Sequence, residues 1–306
     1  MSVGIVIVNW NGKELLDDFL SSIGKHTQYG DYEVIVVDNN SDDDSVPYIR
    51  EKYPETNIIA LDSNLGYVGG LNEAVLRTRH DAYFLANNDC IVHTGGWLTE
   101  LVQTLESDAR IGIVGPNNDP DAPSFHGGQY WDGSFAAPDT DTPTEVDLVS
   151  GAQMLVDAAV FDNIGLIDEK YWPAYNEELD FCYRAQENGW RVMFDPRVCV
   201  EHLEGMTVDE DVDKFETGRR HDLLFRWQNY SIFDLMKSMP QDVKQIGASA
   251  LMGPQYLYRN IRAYGWAIRK LPSIVEGRLA RRDAPEMYGY WLQRDTDSRG
   301  PYRYEA

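Results

Sequence analysis

Residues 3–8 read VGIVIV. Five of the six are β-branched and none is polar. A run of this kind, without the polar alternation of a half-exposed strand, predicts a strand buried on both faces. The chain that follows confirms the setting. From Lys13 to His26, residues Leu15, Leu16, Phe19, Leu20 and Ile23 recur at helical spacing. A second buried strand, EVIVV at 33–37, ends at Asp38. Further along, the patterns predict helices over 45–53, 70–80 and 97–105, and strands over 57–61, 82–86 and 111–114. Alternating strands and helices with buried strands define an α/β fold, a mostly parallel sheet sandwiched by helices.

In such sheets ligands bind beyond the carboxyl ends of the strands. Asn9, Asp38, Asn64 and Asp89 all fall at or just after an expected strand end. Asp89 is the most telling of these. In YFLANNDCIV (83–92) an apolar run stops at Asn87-Asn88-Asp89 and resumes at Ile91. A carboxylate in that break projects from the rim of the sheet, where a hard divalent cation would find oxygen and share it with a phosphate-bearing ligand.

Residues 116–145 are rich in Pro, Gly, Asp and Thr, lack periodicity, and read as a long functional loop. Order returns over 148–205. Helices are expected near 157–164 and 177–188, the second closed by Gly189, and strands over 191–194 and 198–200. From about residue 206 the composition changes, and 215–295 reads as helices rich in Trp, Tyr and Arg. The expected organisation is one domain over 1–205, built of halves 1–115 and 116–205, with a C-terminal helical region over 206–306.

Composition narrows the function. The 306 residues are 43% hydrophobic, enough for a sizeable core, and carry a formal net charge of −23. That acidity argues against nucleic-acid binding. Only 8 of the 27 basic residues are lysine. With the Asp-rich loops this fits a surface adapted to high salt, where screening removes self-repulsion. The three cysteines, Cys90, Cys182 and Cys199, show no metal-ligand spacing and fit reduced thiols. No run reaches the roughly 18–20 apolar residues of a membrane span. The N-terminus lacks the marks of a signal peptide, so a cytoplasmic location is expected.

Four further features carry chemistry. Asp38, ending a strand, can hydrogen-bond the base or ribose of a nucleotide; a dinucleotide-binding domain would do the same, but VNWNGKE after the first strand lacks G-x-G-x-x-G. In NLGYVGGLNEAV (64–75), Gly66, Gly69 and Gly70 precede an expected helix whose first turn holds Asn72, an arrangement that lets backbone and a helix N-terminus meet phosphate. Glu177, Glu178 and Asp180 crowd the first turn of another helix, where the positive helix end favours ionised carboxylates and one can serve as a general base. Asp180 also stands i,i+4 from Arg184, an ordinary helix pair. His202, after an apolar strand, is a candidate metal ligand.

The order VIVNWNG, VIVVDNNSDD, NLGYVGGLNEAV, YFLANND, the stretch from SGAQMLVD to ENGWRV, and CVEHLEG resembles family 2 glycosyltransferases of the GT-A (Rossmann-like) fold, nearest the rhamnosyltransferase-like branch. The resemblance covers about residues 1–205, and RRHDLLFRWQNY extends it weakly. It implies inverting, metal-dependent transfer of a sugar from a nucleotide-sugar donor to a hydroxyl acceptor. Asp38 matches the acid that contacts the nucleotide base, with Asn9, Asn64, Gly66, Gly70, Asn72, Asn87 and Asn88 around the donor. Asn87-Asn88-Asp89 stands at the family's D-x-D-type metal motif; its first Asp is absent, which leaves Asp89 and the donor phosphates to hold Mn²⁺ or Mg²⁺. His202 matches a histidine that joins the metal shell in some relatives. The E-D catalytic pair falls on Glu177-Glu178, where the base is Glu rather than the usual Asp, and Asp180 remains the alternative base.

From Lys244 to Arg282 eight basic residues face a single acid, Glu276, with Tyr256, Tyr258, Tyr264 and Trp266 interleaved. The pattern fits a surface lying on anionic lipid and hence a lipid-linked saccharide acceptor; a helical cap with its arginines paired to acids is the other reading. Two other classes share the residues: a non-catalytic nucleotide- or glycan-binding module, and a nucleotidyltransferase, whose glycine- and arginine-rich N-terminal loop the chain lacks.

Overall fold

The computed structural model describes residues 1–120, 128–129, 141–173, 175–203 and 213–283. The chain divides into two compact units, whose described residues fall in Met1–Thr207 and Val208–Tyr288.

The first unit is built on one nine-stranded sheet. Its amino-terminal half runs β1 (Val3–Asn9), α1 (Lys13–His26), β2 (Tyr32–Asp38), α2 (Ser45–Lys52), β3 (Asn57–Ala60), α3 (Gly66–Arg77), β4 (Ala82–Asn87), β5 (Cys90–Val92), α4 (Trp97–Glu106) and β6 (Ile111–Asn117). Next come β7 (Gly128–Gln129), β8 (Thr144–Val146), β9 (Leu148–Val149), β10 (Gln153–Asp157), α5 (Ala158–Ile164), a 3₁₀ turn (Glu169–Tyr171), α6 (Glu177–Glu187) and β11 (Arg191–His202). The strand order is β3-β2-β1-β4-β10-β6-β11-β5, with β8 also paired to β11; β7 and β9 form a separate two-stranded ladder.

β1 is buried along its whole length. Its side chains alternate between two cores, Val6 and Val8 in one and Ile5 and Ile7 in the other. The first core includes Leu71, Phe161 and Phe181; the second includes Phe19, Phe84 and Trp97, whose ring meets Phe84 edge-on with centroids 4.7 Å apart. Two helical layers therefore flank the sheet, as the unbroken apolar run requires.

The sheet is mixed rather than mostly parallel. β3, β2, β1 and β4 run parallel, and β11 runs parallel to β6. Between β4 and β6 lies β10, antiparallel to both. β5 and β8 pair antiparallel with β11. The expected pattern lacked β10 because its apolar residues, Met154 to Val156, are only three long and lead straight into a helix. The expected strands at 191–194 and 198–200 are one element, β11, with a register shift against β6 between Asp195 and Cys199. α3 starts at Gly66, four residues before the expected start at 70. Most of the expected 116–145 loop, residues 121–127 and 130–140, lies outside the described residues.

Gly70 explains part of that difference. It lies inside α3, against β1, where an added Cβ would sit 2.8 Å from a Val8 methyl. The glycine permits close packing of helix on strand. It does not form the ligand-facing loop expected of it.

The second unit holds α7 (Lys214–Asn229), α8 (Ile232–Met252), α9 (Pro254–Arg269) and α10 (Leu271–Asp283). Asp213 caps α7 by accepting the Glu216 N–H at 3.1 Å. Leu223, Ala263 and Ala267 form its small core. Arg219 and Arg226 of α7 each reach Asp242 of α8 at 2.7 Å. Arg259 pairs with Asp213 at 2.5 Å and Arg262 with Glu216 at 3.5 Å. Part of the basic island is thus neutralised inside the unit. Among the described residues no helix is long and apolar enough to cross a membrane.

Gly70→Val should cost about 1–3 kcal/mol of stability through overpacking against β1, measured as a lower denaturant midpoint; an unchanged midpoint would show that Val8 yields freely.

Candidate active site

The carboxyl ends of β1, β2 and β4 lie side by side, because Asn9 is in register with Asp38 and Val8 with Asn87. A chain of amides and carboxylates connects them. Asn88 Nδ2 donates to Asn9 Oδ1 at 2.8 Å, and Asn9 Nδ2 approaches Asp38 Oδ1 at 3.5 Å and Ser41 Oγ at 3.4 Å. Asp38 Oδ2 accepts the Ser41 N–H at 3.1 Å, which fixes the turn after β2. Asn9, Asp38, Asn39 and Asn88 are all buried. Buried polar groups with satisfied bonds hold a rim rigid, and an unsatisfied one would be costly.

Asn39 ties this rim to α3. It donates to the Gly66 carbonyl at 3.0 Å and accepts the Leu65 N–H at 2.8 Å. Asn64 accepts the Gly66 N–H at 2.8 Å. Gly66 has φ of +74°, and the Trp172 ring lies against it, 2.5 Å from where a Cβ would be. Glycine is required there on both counts. Trp172 is 47% exposed at this edge. Sequence reasoning missed it; its cue, an aromatic just upstream of an acidic helix start, is common in cores as well.

Asp89 and His202 are brought together by strand pairing. β5 leaves the break after β4 and runs antiparallel to the end of β11, with Cys90 opposite His202. The Leu203 N–H donates to the Asp89 carbonyl at 2.9 Å, and the His202 N–H to the Asn118 carbonyl at 3.0 Å. Asp89 is fully buried, and its Oδ1 lies 3.2 Å from His202 Nε2, which is also 3.2 Å from Asn87 Nδ2. Two donor atoms each about 2.1 Å from a common divalent ion, at an angle near 100°, would stand about this far apart. Among the described residues no group of three His, Cys, Asp or Glu side chains gathers for a metal. The pair fits a cation completed by a ligand's phosphates and waters, not a closed protein cage.

The acidic helix start faces the same rim through the turn before β10. An added Cβ at Gly151 would lie 3.0 Å from Glu178 Cβ and 3.1 Å from Glu177 Oε1. Tyr67 of α3 donates to the Gly151 carbonyl at 2.7 Å. Its hydroxyl is held well above its ordinary pKa, first by burial and then by the charges of Glu177, Cys90, Asp89 and Glu178. One phenol therefore senses Asp89 and both helix acids. Tyr175 and Asn176, just before α6, have φ of +80° and +69°. Non-glycine residues so placed store strain and recur at functional sites.

The three acids of α6 occupy different environments. Asp180 is fully buried, bound to Arg184 Nε at 2.8 Å and to the Tyr171 hydroxyl at 3.3 Å. Arg184 also donates to the carbonyls of Ile164 and Leu166. Asp180 thus belongs to a structural knot. Glu177 is buried, with Oε2 lacking a hydrogen-bond partner. Burial, and then the charge of Glu178, hold its carboxyl well above the ordinary range. Glu178 is half-buried. Burial raises its pKa too, while the backbone N–H groups at the helix start pull it back.

Asn72 has a different task from the one its position predicted. Its amide donates to the Ile167 carbonyl at 2.9 Å and to Glu169 at 3.1 Å, and accepts the Ile167 N–H at 3.2 Å. It clamps α3 to the segment leading into α6. Gln153 was not expected either. Buried at the rim, it donates to Asn118 Oδ1 at 2.7 Å and to the Val200 carbonyl at 2.5 Å, so it aligns the end of β11.

An α/β sheet with this polar rim, paired with a helical C-terminal region, is the architecture of GT-A glycosyltransferases. S. aureus TarS 1-349 in complex with UDP-GlcNAc matches with a TM-score of 0.62 at 15% identity, over 100% of this chain and 94% of that one. GalNAc-T7 with UDP, GalNAc and Mn²⁺ matches with a TM-score of 0.62 at 14% identity, over 90% and 57%. In sequence, an N-acetylglucosaminyl-diphospho-decaprenol L-rhamnosyltransferase of Mycobacterium tuberculosis is 24% identical over 241 residues, 68% of this chain and 78% of the relative. The low-salt glycan biosynthesis hexosyltransferase Agl10 of Haloferax volcanii is 25% identical over 240 residues, 73% of each. The profile described as "Glycosyltransferase like family 2" matches residues 2–229, and the chain belongs to that family.

Glu177→Gln should raise the melting temperature at neutral pH. A carboxyl whose folded pKa lies above its unfolded value opposes folding increasingly as pH rises above the ordinary carboxylate range. The gain should shrink towards zero as pH falls below about 4, in melts run across pH. A variant no more stable than the parent at pH 7 would place the burial cost elsewhere.

Proposed function

We propose that this chain transfers a sugar from a nucleotide-sugar donor to a hydroxyl acceptor with inversion at the anomeric carbon. The observation that carries the reading is the 3.2 Å approach of Asp89 Oδ1 to His202 Nε2 beside the Glu177-Glu178 helix start. Asp38 meets the nucleotide base, and Asn9, Asn64, Gly66, Asn87 and Asn88 shape the surface on which the donor lies. Asp89 and His202 would hold a divalent cation, which would supply positive charge to the diphosphate of the donor. An imidazole in the set favours Mn²⁺ over Mg²⁺.

Glu178 acts as the general base. It accepts the acceptor hydroxyl proton as the oxygen attacks, and its raised pKa makes it a better proton acceptor than an ordinary carboxylate. Burial, and then the charge of Glu178, make Glu177 harder to ionise than an ordinary carboxyl. The bonds of Asp180 to Arg184 and Tyr171 support Glu178 over Asp180 in this role. Trp172 and the aromatic edge around Gly66 close one side of the cleft.

The acceptor is a lipid-linked saccharide, and the enzyme works peripherally at the cytoplasmic face of a membrane, with the 244–282 region towards the lipid. The relatives acting on a diphospho-decaprenol and in glycan biosynthesis support this acceptor class. The net charge of −23 and the haloarchaeal relative support a surface adapted to salt.

Glu178→Gln should lower turnover by about 10²–10⁴-fold while nucleotide-sugar binding, followed by thermal shift, stays intact; near-parental turnover would remove Glu178 as the base. The acidic limb of the pH–rate profile should lie above the ordinary carboxylate range, with activity rising with pH as the base ionises. Chelation should abolish transfer and added Mn²⁺ restore it, and full activity in excess chelator would remove the cation.

A further inference from the structure

Sixteen large hydrophobic side chains lie exposed among the described residues, and thirteen of them belong to α8, α9 and α10. The densest set runs along α8. Ile232, Met236, Met239 and Val243 follow at steps of four, three and four, a single stripe of the helix. They are 73%, 56%, 60% and 68% exposed. The flank of α8 beside Met239 is occupied inside the unit: Asp242 binds Arg219 and Arg226, and Ser238 accepts from Arg226 at 3.1 Å. Lys237 and Lys244 border the apolar stripe, seven residues apart and so on one side of it.

Exposed apolar area of this extent needs a partner, and charge distinguishes the candidates. From Ile232 to Asp283 the chain carries nine basic and four acidic residues, a net charge of +5, against −23 for the whole. A second copy would set two positive faces against each other. An anionic surface would complement both features. α9 repeats the pattern, with Tyr258, Ile261 and Ile268 exposed beside Arg262 and Arg269, and no acid in the helix. Since no described helix can cross a bilayer, the fitting geometry is a helix lying in the interface, apolar stripe down and cations at headgroup level.

We infer that α8 seats this protein on an anionic phospholipid surface through Ile232, Met236, Met239 and Val243, with Lys237 and Lys244 at the headgroups. This deepens the lipid-linked acceptor reading, moving the principal contact ahead of the 244–282 island, and binding can be measured whether or not the chain transfers sugar.

The test is flotation of the full-length protein with vesicles of phosphatidylcholine alone or mixed with phosphatidylglycerol, at several salt concentrations. The parent should float with the mixed vesicles, and more weakly as salt rises. Met236→Asp/Val243→Asp should lose binding by more than about tenfold. Lys237→Gln/Lys244→Gln should weaken it about fivefold for each lysine removed. All four positions are surface-exposed, and circular dichroism and melting curves matching the parent would confirm folding. The inference fails if the parent does not float, or if the aspartate variant floats as well as the parent. It also fails if light scattering shows a dimer that the aspartate variant dissolves while flotation is unchanged, which would give the stripe to a second copy. A failure here leaves the Glu178 and chelation tests untouched.

Discussion

The site depends on where β4 stops. At Asn87 the strand leaves the central ladder, and within three residues the chain has turned to pair with the end of β11. That short antiparallel ladder sets Cys90 opposite His202, and Asp89 immediately before it is thereby brought to the imidazole. Three polar residues in an apolar run would otherwise be a defect in a buried strand. Here they end the parallel half of the sheet and join its polar rim. The buried amide chain from Asn88 through Asn9 to Asp38 carries the same order across three strands. A change in any one of these ends would disturb its neighbours.

Environment, not residue type, separates the three acids of α6. Asp180 points into the fold and is bound by Arg184, whose guanidinium also satisfies two carbonyls. Glu177 is buried with its Oε2 lacking a hydrogen-bond partner, and desolvation raises its pKa. Glu178 stays half-buried near the backbone N–H groups of the helix start, which temper its desolvation. Gly151 lies against both glutamates. The turn before β10 thus couples the acid pair to the strand that separates β4 from β6.

The second unit divides its charges by direction. Arg219 and Arg226 are spent on Asp222 and Asp242, and Arg259 and Arg262 on the acids at the start of α7. The pairs with Asp242, Asp213 and Glu216 fix the helices to one another. What they leave outside is an apolar stripe with lysines, on a chain that is strongly acidic elsewhere. Segregation of this kind puts hydrophobic and positive surface in one place, where a membrane interface can use both.

Much of the fold was legible because buried β-branched runs and helical periodicity are local: VGIVIV, EVIVV and the stripe of α1 need only their own residues to be read. The strand-end rule then singled out Asn9, Asp38, Asn64 and Asp89 before any contact was known, and the helix-start acids were marked by composition. Tertiary structure alone decided the rest. β10 was hidden because a three-residue apolar core does not distinguish a strand from the start of a helix. Gly70 and Asn72 sit in a glycine-rich stretch that looks ligand-facing, yet one packs on Val8 and the other binds Ile167, since neighbours distant in sequence claim them first. The choice between Glu178 and Asp180 lay beyond local pattern for the same reason. Sequence spacing places a carboxylate on a helix, but only the packed partners, Arg184 for one and the Gly151 turn for the other, determine the surroundings each acid has.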